Sequence, residues 1–137
     1  MTALPGPMTP TKTTTIKTAA GDSLYAEEFV PTSAPKGVVL ITHGYAEHAG
    51  RERELAHGSG DAGWAALTYD VRGHGKSPGA RGFIEKFDTY LDDLRAAHAA
   101  ATQLAPGKPL VLLGHSHGSL ITLRALAGEH PPEAVAA

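Results

Sequence analysis

The sequence predicts an α/β fold in which helices cover a parallel sheet. Three continuous apolar runs have the length of strands buried on both faces of such a sheet, and they occupy residues 37–42, 64–69 and 110–113. Between the second and third runs, apolar residues recur at helical spacing over 87–104, with charged residues such as Asp93 on the opposite side. Alternating strands and helices are typical of a parallel sheet with right-handed crossovers.

An antiparallel hairpin is predicted before the first buried run. Residues 13–18 are rich in β-branched side chains, residues 23–30 are again strand-like, and Gly21 and Asp22 supply a turn between them. The residues before the hairpin combine prolines with small side chains and lack a periodic apolar pattern. They predict a flexible N-terminal tail over residues 1–11.

Two further helices are predicted. Residues 119–127 have helical character and are closed by Gly128. Residues 50–62 should form the crossover between the first two buried strands, but Gly58 and Gly60 each cost roughly 1 kcal/mol relative to alanine. We therefore expect that helix to be short or frayed. The last residues have the composition of the start of another strand, so we expect the chain to end within a fold.

The composition narrows the functional classes. The 137 residues have a formal net charge of -2 with acids and bases interspersed, so no basic stripe favours nucleic acid as a partner. The absence of cysteine excludes disulfides and a thiol nucleophile within these residues. No apolar run approaches the roughly 18 residues of a membrane-spanning helix, and the N-terminus lacks the pattern of a signal peptide. We expect a soluble, cytoplasmic protein without a transmembrane segment.

One motif carries the chemistry. The sequence Gly114-His115-Ser116-His117-Gly118 matches G-x-S-x-G and lies between a predicted strand and a predicted helix. A nucleophile elbow needs glycine two positions away from the serine on each side, because a Cβ there would collide with neighbouring elements. With sixteen glycines in the chain a chance match is the alternative, but the flanking strand and helix argue against it. Ser116 is the predicted nucleophile.

Two more segments carry a resemblance to a known family. Residues 43–51 have the sequence H-G-Y-A-E-H-A-G-R, and residues 70–77 have the sequence D-V-R-G-H-G-K-S. Together with the elbow, and in this order, they resemble the monoacylglycerol lipase and lysophospholipase group of α/β-hydrolases, which includes serine aminopeptidase-like members. The resemblance implies that residues 12–137 form a partial α/β-hydrolase domain, its N-terminal part, without the C-terminal strands and the lid.

The resemblance also implies roles for individual residues. Ser116 would be the nucleophile, and the backbone N–H groups of Tyr45 and His117 would form the oxyanion hole. The residues implied to give structural support are His43, Gly44, Gly114, Gly118, Asp70, Gly73, His74 and Gly75. In this fold the triad acid and histidine follow the nucleophile along the chain. We therefore expect neither the triad acid nor the base in this chain.

The remaining polar residues do not predict another site. His115 flanks the nucleophile, but consecutive residues of an elbow point away from one another, so it is not a predicted base. His43, His48 and His57 lack a recognised metal spacing. We expect no metal and no cofactor.

A partial nucleotide-binding motif is also present. Residues 75–77 have the sequence G-K-S, which ends the phosphate-binding loop G-x-x-x-x-G-K-S. Asp70 occupies the position where that loop needs glycine, and Pro78 and Gly79 would break the helix that holds the phosphates. The sequence therefore does not predict a nucleotide site.

The predicted function is that of a serine hydrolase that cleaves carboxylic esters, such as monoacylglycerol or lysophospholipid, through an acyl-Ser116 intermediate. The expected partner is a small acyl-ester substrate, and the chain alone is expected to be inactive. One alternative is a non-catalytic remnant or a half-domain that needs a partner, because Gly58, Gly60 and Glu52 depart from the family pattern. A weaker alternative is a peptidase of the same fold. The strand at 110–113 is expected to expose an apolar edge through which chains self-associate.

Overall fold

The computed structural model describes residues 9–136 and has the predicted α/β class. Its strands are β1 (Lys12–Lys17), β2 (Ser23–Phe29), β3 (Val38–Thr42), β4 (Ala65–Tyr69), β5 (Leu110–Gly114) and β6 (Val135–Ala136). Its helices are α1 (Arg53–Asp61), which follows a 3-10 turn at Ala49–Glu52, α2 (Asp88–Thr102) and α3 (His117–Leu126). The predicted hairpin, buried strands and helices are confirmed, and α3 begins two residues earlier than expected.

The strands of the described residues form a six-stranded sheet in the order β1-β2-β4-β3-β5-β6. β2 is antiparallel to β1 and β4, whereas β3 lies between β4 and β5 and is parallel to both. Thr42 at the end of β3 is in register with Tyr69 of β4 and Gly114 of β5. The three parallel strands therefore end at one level, and the loops that follow them meet at one edge of the sheet. Open α/β sheets bind their ligands at this edge.

The two faces of the sheet bury unequal cores. One face packs against α2 and α3 through a large apolar cluster, in which Leu40, Leu94 and Ile121 are nearly inaccessible. The other face packs against α1 through a smaller cluster consisting of Phe29, Ile41, Ala56 and Ala66. Ala56 is the buried residue of α1, a helix of nine residues. The expectation of a short helix is thus confirmed.

An ion pair also holds α1 against the sheet, beside the smaller apolar cluster. Arg53, the first residue of α1, donates hydrogen bonds from Nε and Nη2 to the carboxylate of Glu27 at 2.8 and 2.7 Å. Glu27 is buried on β2, and its Oε1 also accepts a hydrogen bond from the Tyr25 hydroxyl at 3.2 Å. These bonds give the buried carboxylate the partners that it needs in place of water.

Asp93 lies on the buried side of α2, contrary to the prediction. Its side chain is buried, and it accepts hydrogen bonds from Nε and Nη2 of Arg72 at 2.8 and 3.0 Å. Arg72 also donates to Asp22 in the hairpin turn at 2.5 Å. The prediction that Asp93 faces away from the core is wrong because a cation from the loop after β4 satisfies the buried carboxylate. The pair fastens that loop to α2.

The outer strand of the sheet also differs from the prediction. Val111 and Leu112 of β5 pair with Val135 and Ala136 of β6. The expectation that β5 forms the exposed edge is therefore wrong for these two residues, because β6 covers them. The start of β6 is the further strand that the last residues of the sequence predict. Self-association through the sheet edge stays a prediction.

Two further expectations concern the N-terminal tail and membrane-spanning segments. The predicted tail lies mostly outside the described residues, which begin at Thr9, while the N–H of Thr11 donates to the carbonyl of Glu28 at 2.8 Å. Each helix between residues 9 and 136 is too short or too polar to cross a lipid bilayer.

Candidate active site

Ser116 lies on the turn between β5 and α3, at the edge where the parallel strands end. Its backbone has φ +54° and ψ −115°. A side chain in such a sparsely populated conformation costs about 1–3 kcal/mol, which the surrounding structure must offset. The geometry is the strained strand-turn-helix elbow that the motif predicts.

Two glycines permit this elbow. A Cβ on Gly114 would lie 2.6 Å from the carbonyl oxygen of Gly118. A Cβ on Gly118 would lie 2.6 Å from the carbonyl oxygen of His43 and nearer still to that of Thr42. Because these neighbours are backbone atoms, they cannot rotate away. The elbow therefore packs directly against the end of β3.

The hydroxyl of Ser116 is available. The residue is exposed, and its side chain makes no hydrogen bond within residues 9–136. It immediately precedes α3, where the helix dipole favours negative charge. An oxygen that becomes anionic during a reaction would be stabilised at this position.

Tyr45 lies on the loop after β3 and reaches the first residue of α3. Its ring meets the ring of His117 edge to face, with centroids 5.8 Å apart, and its hydroxyl donates to the carbonyl of Gly82 at 2.6 Å. In the described part of the chain, neither the Tyr45 nor the His117 backbone N–H donates to a protein acceptor. Two free donors are thus present on neighbouring residues beside the elbow. That both point toward one space next to Ser116 stays a prediction.

His43 joins the loop after β3 to the loop after β4. Its Nε2 accepts a hydrogen bond from the N–H of Val71 at 2.9 Å, so the proton is assigned to Nδ1, which donates to the carbonyl of Gly44 at 2.7 Å. The ring is buried, and burial lowers the pKa of His43 below its ordinary value of 6.5. With both nitrogens engaged, this histidine has no free nitrogen to accept a proton from Ser116.

His74 lies under the same loops. Its Nδ1 is 3.0 Å from the carbonyl of Arg72, and its ring contacts the rings of His43 and Tyr45 edge to face, each at 5.3 Å between centroids. Its Nε2 is buried and has no hydrogen-bond partner within the described residues. The ring thus packs beneath Tyr45 rather than facing solvent.

His117 is surrounded by aromatic rings. Besides Tyr45, it contacts Tyr90 at 5.3 Å and Phe87 at 6.1 Å, measured between ring centroids. Burial, followed by the charge of His74, lowers the pKa of His117. These contacts fix the start of α3 and hence the position of the His117 backbone N–H.

Asp70 organises the turn that resembles the end of a phosphate loop. Its carboxylate accepts hydrogen bonds from the N–H groups of Ala49 at 2.7 Å and Lys76 at 2.8 Å. Gly73 and Gly75 adopt φ values of +77° and +49°, and a Cβ on Gly75 would overlap the Asp70 carboxylate. No helix follows this turn before α2, so the anion-binding helix N-terminus of a phosphate loop is not formed here.

Glu47, Glu52 and His115 form a cluster that was not predicted from the sequence. Nδ1 of His115 lies 3.3 Å from Oε2 of Glu47 and 4.0 Å from Oε1 of Glu52. Oε2 of Glu47 also accepts from the N–H of Gly44 at 3.3 Å. Burial opposes ionisation of Glu47, but the bonds from Gly44 and His115 outweigh it and lower the Glu47 pKa. No local spacing could have revealed the cluster, because Glu47 and His115 are 68 residues apart.

Within residues 9–136, no histidine or carboxylate forms a hydrogen bond with the Ser116 hydroxyl. The ring nitrogens of His43 bond to Val71 and Gly44, and Nδ1 of His115 faces Glu47. The described residues therefore present a nucleophile and donors, without a base in contact with the serine.

The chain is similar to known hydrolases. Residues 33–137 match the family described as serine aminopeptidase, S33. The chain is 36% identical over 113 residues to a monoacylglycerol lipase of Mycolicibacterium smegmatis, which covers 82% of this chain and 40% of the relative. It is 34% identical over 113 residues to the monoglyceride lipase of Homo sapiens, with 82% and 37% covered. The structure of a thermostable carboxyl esterase from Bacillus coagulans in complex with glycerol matches with a TM-score of 0.72 at 26% identity, covering 81% of this chain and 38% of that one.

These similarities show a partial α/β-hydrolase fold. The chain belongs to the serine aminopeptidase S33 family of α/β-hydrolases, and the resemblance to monoacylglycerol lipases is confirmed. The chain spans about two-fifths of the length of the curated relatives, 40% and 37% of the two named above.

Proposed function

We propose that Ser116 is the nucleophile of a hydrolase that cleaves carboxylic esters such as monoacylglycerols or lysophospholipids. The observation that carries the proposal is the exposed Ser116 on a strained elbow at the start of α3. In support, the backbone N–H groups of Tyr45 and His117 have no protein acceptor within residues 9–136, and the rings of these two residues are in contact. The names of the relatives, a monoacylglycerol lipase and a carboxyl esterase, support an ester as the substrate class.

In the proposed reaction, the Ser116 hydroxyl gives its proton to a base while its oxygen attacks the ester carbonyl. The carbonyl oxygen becomes an anion, and the N–H groups of Tyr45 and His117 stabilise it, each by an amount on the order of 3 kcal/mol. The alcohol leaves with a proton, and Ser116 remains acylated. Water then attacks the acyl group and releases the fatty acid.

The base and the triad acid are proposed to lie outside residues 9–136. The nitrogens of His43 are both engaged, His115 faces Glu47, and His117 packs among aromatic rings. In α/β-hydrolases the acid and the histidine follow the nucleophile in chain order. The isolated 137-residue chain is therefore expected to have little esterase activity.

Two other functions have specific support. The family description as an aminopeptidase supports amide hydrolysis with the same nucleophile. A half-domain that needs a partner, or a non-catalytic remnant, is supported by α1, where a Cβ added at Gly58 or Gly60 would meet nothing within 4 Å. A half-domain would show serine-dependent turnover once its partner is bound, whereas a non-catalytic remnant would show none.

The test is a chimera in which residues 1–137 are continued by the part of the Mycolicibacterium smegmatis relative that follows its matched segment. We expect it to hydrolyse a monoacylglycerol or a lysophosphatidylcholine at a rate near the enzyme median of roughly 10 per second, and an aminoacyl p-nitroanilide far more slowly. Ser116→Ala should lower the ester rate by about 10³-fold or more, while Ser59→Ala on α1 should retain it. A chimera that is folded by circular dichroism yet shows no serine-dependent ester hydrolysis would contradict the proposal.

A further inference from the structure

We propose that the side chain of Tyr45 is a positioning group for the oxyanion donor on its own backbone. Its hydroxyl donates a hydrogen bond to the carbonyl of Gly82 at 2.6 Å, which ties the loop after β3 to the loop after β4. This inference rests on the proposed function, which assigns the Tyr45 N–H to the oxyanion hole. It adds that the N–H is held in place through the side chain rather than by the backbone of its own loop.

The backbone on either side of Tyr45 does not fix the direction of its N–H. The preceding residue is Gly44, which has no Cβ to restrict its rotation. The following residue is Ala46, whose φ of +62° lies in the left-handed region. A non-glycine residue there costs about 1–2 kcal/mol and persists only when the surrounding structure imposes that conformation. The N–H of Glu47 donates to the carbonyl of Gly44 at 3.2 Å, but this bond lies within the turn itself. Contacts outside the turn must therefore hold it.

The Tyr45 side chain makes such contacts. Its ring meets the rings of His74 and His117 edge to face, at 5.3 and 5.8 Å between centroids. Although Tyr45 is 56% exposed, its hydroxyl is bonded to Gly82. Contacts along the ring and at its far end hold the Cα–Cβ bond, and this restricts the rotation about the N–Cα bond that would turn the N–H away. The contact with His117 also joins the two residues that carry the proposed donors.

The acceptor of the Tyr45 hydroxyl is itself held in place. The N–H of Gly82 donates to the carbonyl of Gly73 at 2.9 Å, and the neighbouring Arg81 donates to the carbonyl of Gly75 at 2.9 Å. A Cβ on Gly82 would lie 2.6 Å from the hydroxyl oxygen of Tyr45, so the close approach needs glycine at this position. The hydroxyl therefore bonds to a fixed point on the loop after β4.

The kinetic test is Tyr45→Phe in the chimera described above, a change that removes the hydroxyl and keeps the ring. We expect kcat for the ester to fall by about 10-fold, the effect of losing one hydrogen bond, while KM changes by less than about 2-fold. This split is expected because a displaced donor weakens binding of the transition state and not of the ester. The matched control is Tyr25→Phe, which removes a hydroxyl bonded to Glu27 at 3.2 Å and should retain kcat.

A second measurement does not depend on catalysis. Amide hydrogen exchange of the 137-residue chain, followed by NMR, reports on the turn through the N–H of Glu47, which donates to Gly44. We expect this amide to exchange about 10-fold faster in Tyr45→Phe, because the turn loses its outside anchor. Its exchange in Tyr25→Phe should equal that of the unsubstituted chain.

The outcomes separate this inference from the proposed function. A chimera that is folded but lacks serine-dependent hydrolysis would overturn both. An active chimera in which Tyr45→Phe retains kcat, or in which Tyr25→Phe loses as much, would overturn the inference alone. Unchanged exchange at Glu47 in Tyr45→Phe would also overturn it. A lower kcat together with faster exchange, both confined to Tyr45→Phe, would support it.

Discussion

The elbow at Ser116 and the loop after β3 touch each other, but they are held in different ways. The elbow depends on close backbone contacts, since Gly118 lies against the carbonyl oxygens of Thr42 and His43. The loop depends on side-chain hydrogen bonds, because His43 bridges the N–H of Val71 and the carbonyl of Gly44.

The elbow and the loop should therefore respond differently to substitution. A packed backbone contact tolerates no additional atom, whatever its polarity. A loop held by hydrogen bonds tolerates changes in size but is sensitive to the loss of a polar partner and to pH. A substitution that adds an atom should therefore destabilise the elbow, whereas a substitution that removes a polar partner should destabilise the loop.

The largest effect is expected for Gly118→Ala. The new Cβ would lie 2.6 Å from the His43 carbonyl oxygen, and relieving this overlap requires the backbone to move. We expect the free energy of unfolding, measured with urea, to fall by about 3 kcal/mol or more. Gly58→Ala is the matched control, because nothing lies within 4 Å of its added Cβ and alanine should stabilise α1 by up to about 1 kcal/mol. Similar effects at both glycines would contradict the steric account of the elbow.

A smaller loss is expected for His43→Leu, which tests the loop. The substitution leaves the N–H of Val71 and the carbonyl of Gly44 without their partner. Leaving a buried polar group unsatisfied costs about 1–3 kcal/mol, so we expect a loss of about 2 kcal/mol in urea unfolding. The same change at exposed His57 should stay within about 0.5 kcal/mol. A neutral His43→Leu would show that the loop does not depend on this bridge.

The pH profile separates the two regions further. Burial lowers the pKa of His43 from 6.5, so below that pH the unfolded chain binds a proton that the folded chain does not. The free energy of unfolding should therefore fall as the pH decreases from about 7 toward 5, and the partly buried His117 acts in the same direction. In His43→Leu this decrease should be smaller. Identical profiles for the two chains would contradict the assignment of a neutral, buried His43.

The parts of the structure that the sequence predicted are those set by local patterns. G-x-S-x-G between an apolar run and a helical segment was enough to place Ser116 on an elbow, because the steric demand for both glycines is local. The three buried runs became β3, β4 and β5, since continuous apolar runs of this length fit a parallel sheet.

The parts that it did not predict depend on distant partners. Asp93 is buried because Arg72 reaches it from 21 residues earlier in the chain, which periodicity along α2 cannot reveal. Glu47 and His115 meet only because β3 and β5 are adjacent and end at the same level. The direction of the Tyr45 and His117 N–H groups likewise depends on tertiary packing and stays a prediction.

The most direct test of the account is turnover of p-nitrophenyl butyrate by the purified 137-residue chain and its Ser116→Ala variant. The described residues supply an exposed serine and free donors, but no base in contact with the serine. We therefore predict little or no difference between the two chains. A serine-dependent rate near the enzyme median of roughly 10 per second would contradict the account and show that a base lies within these residues.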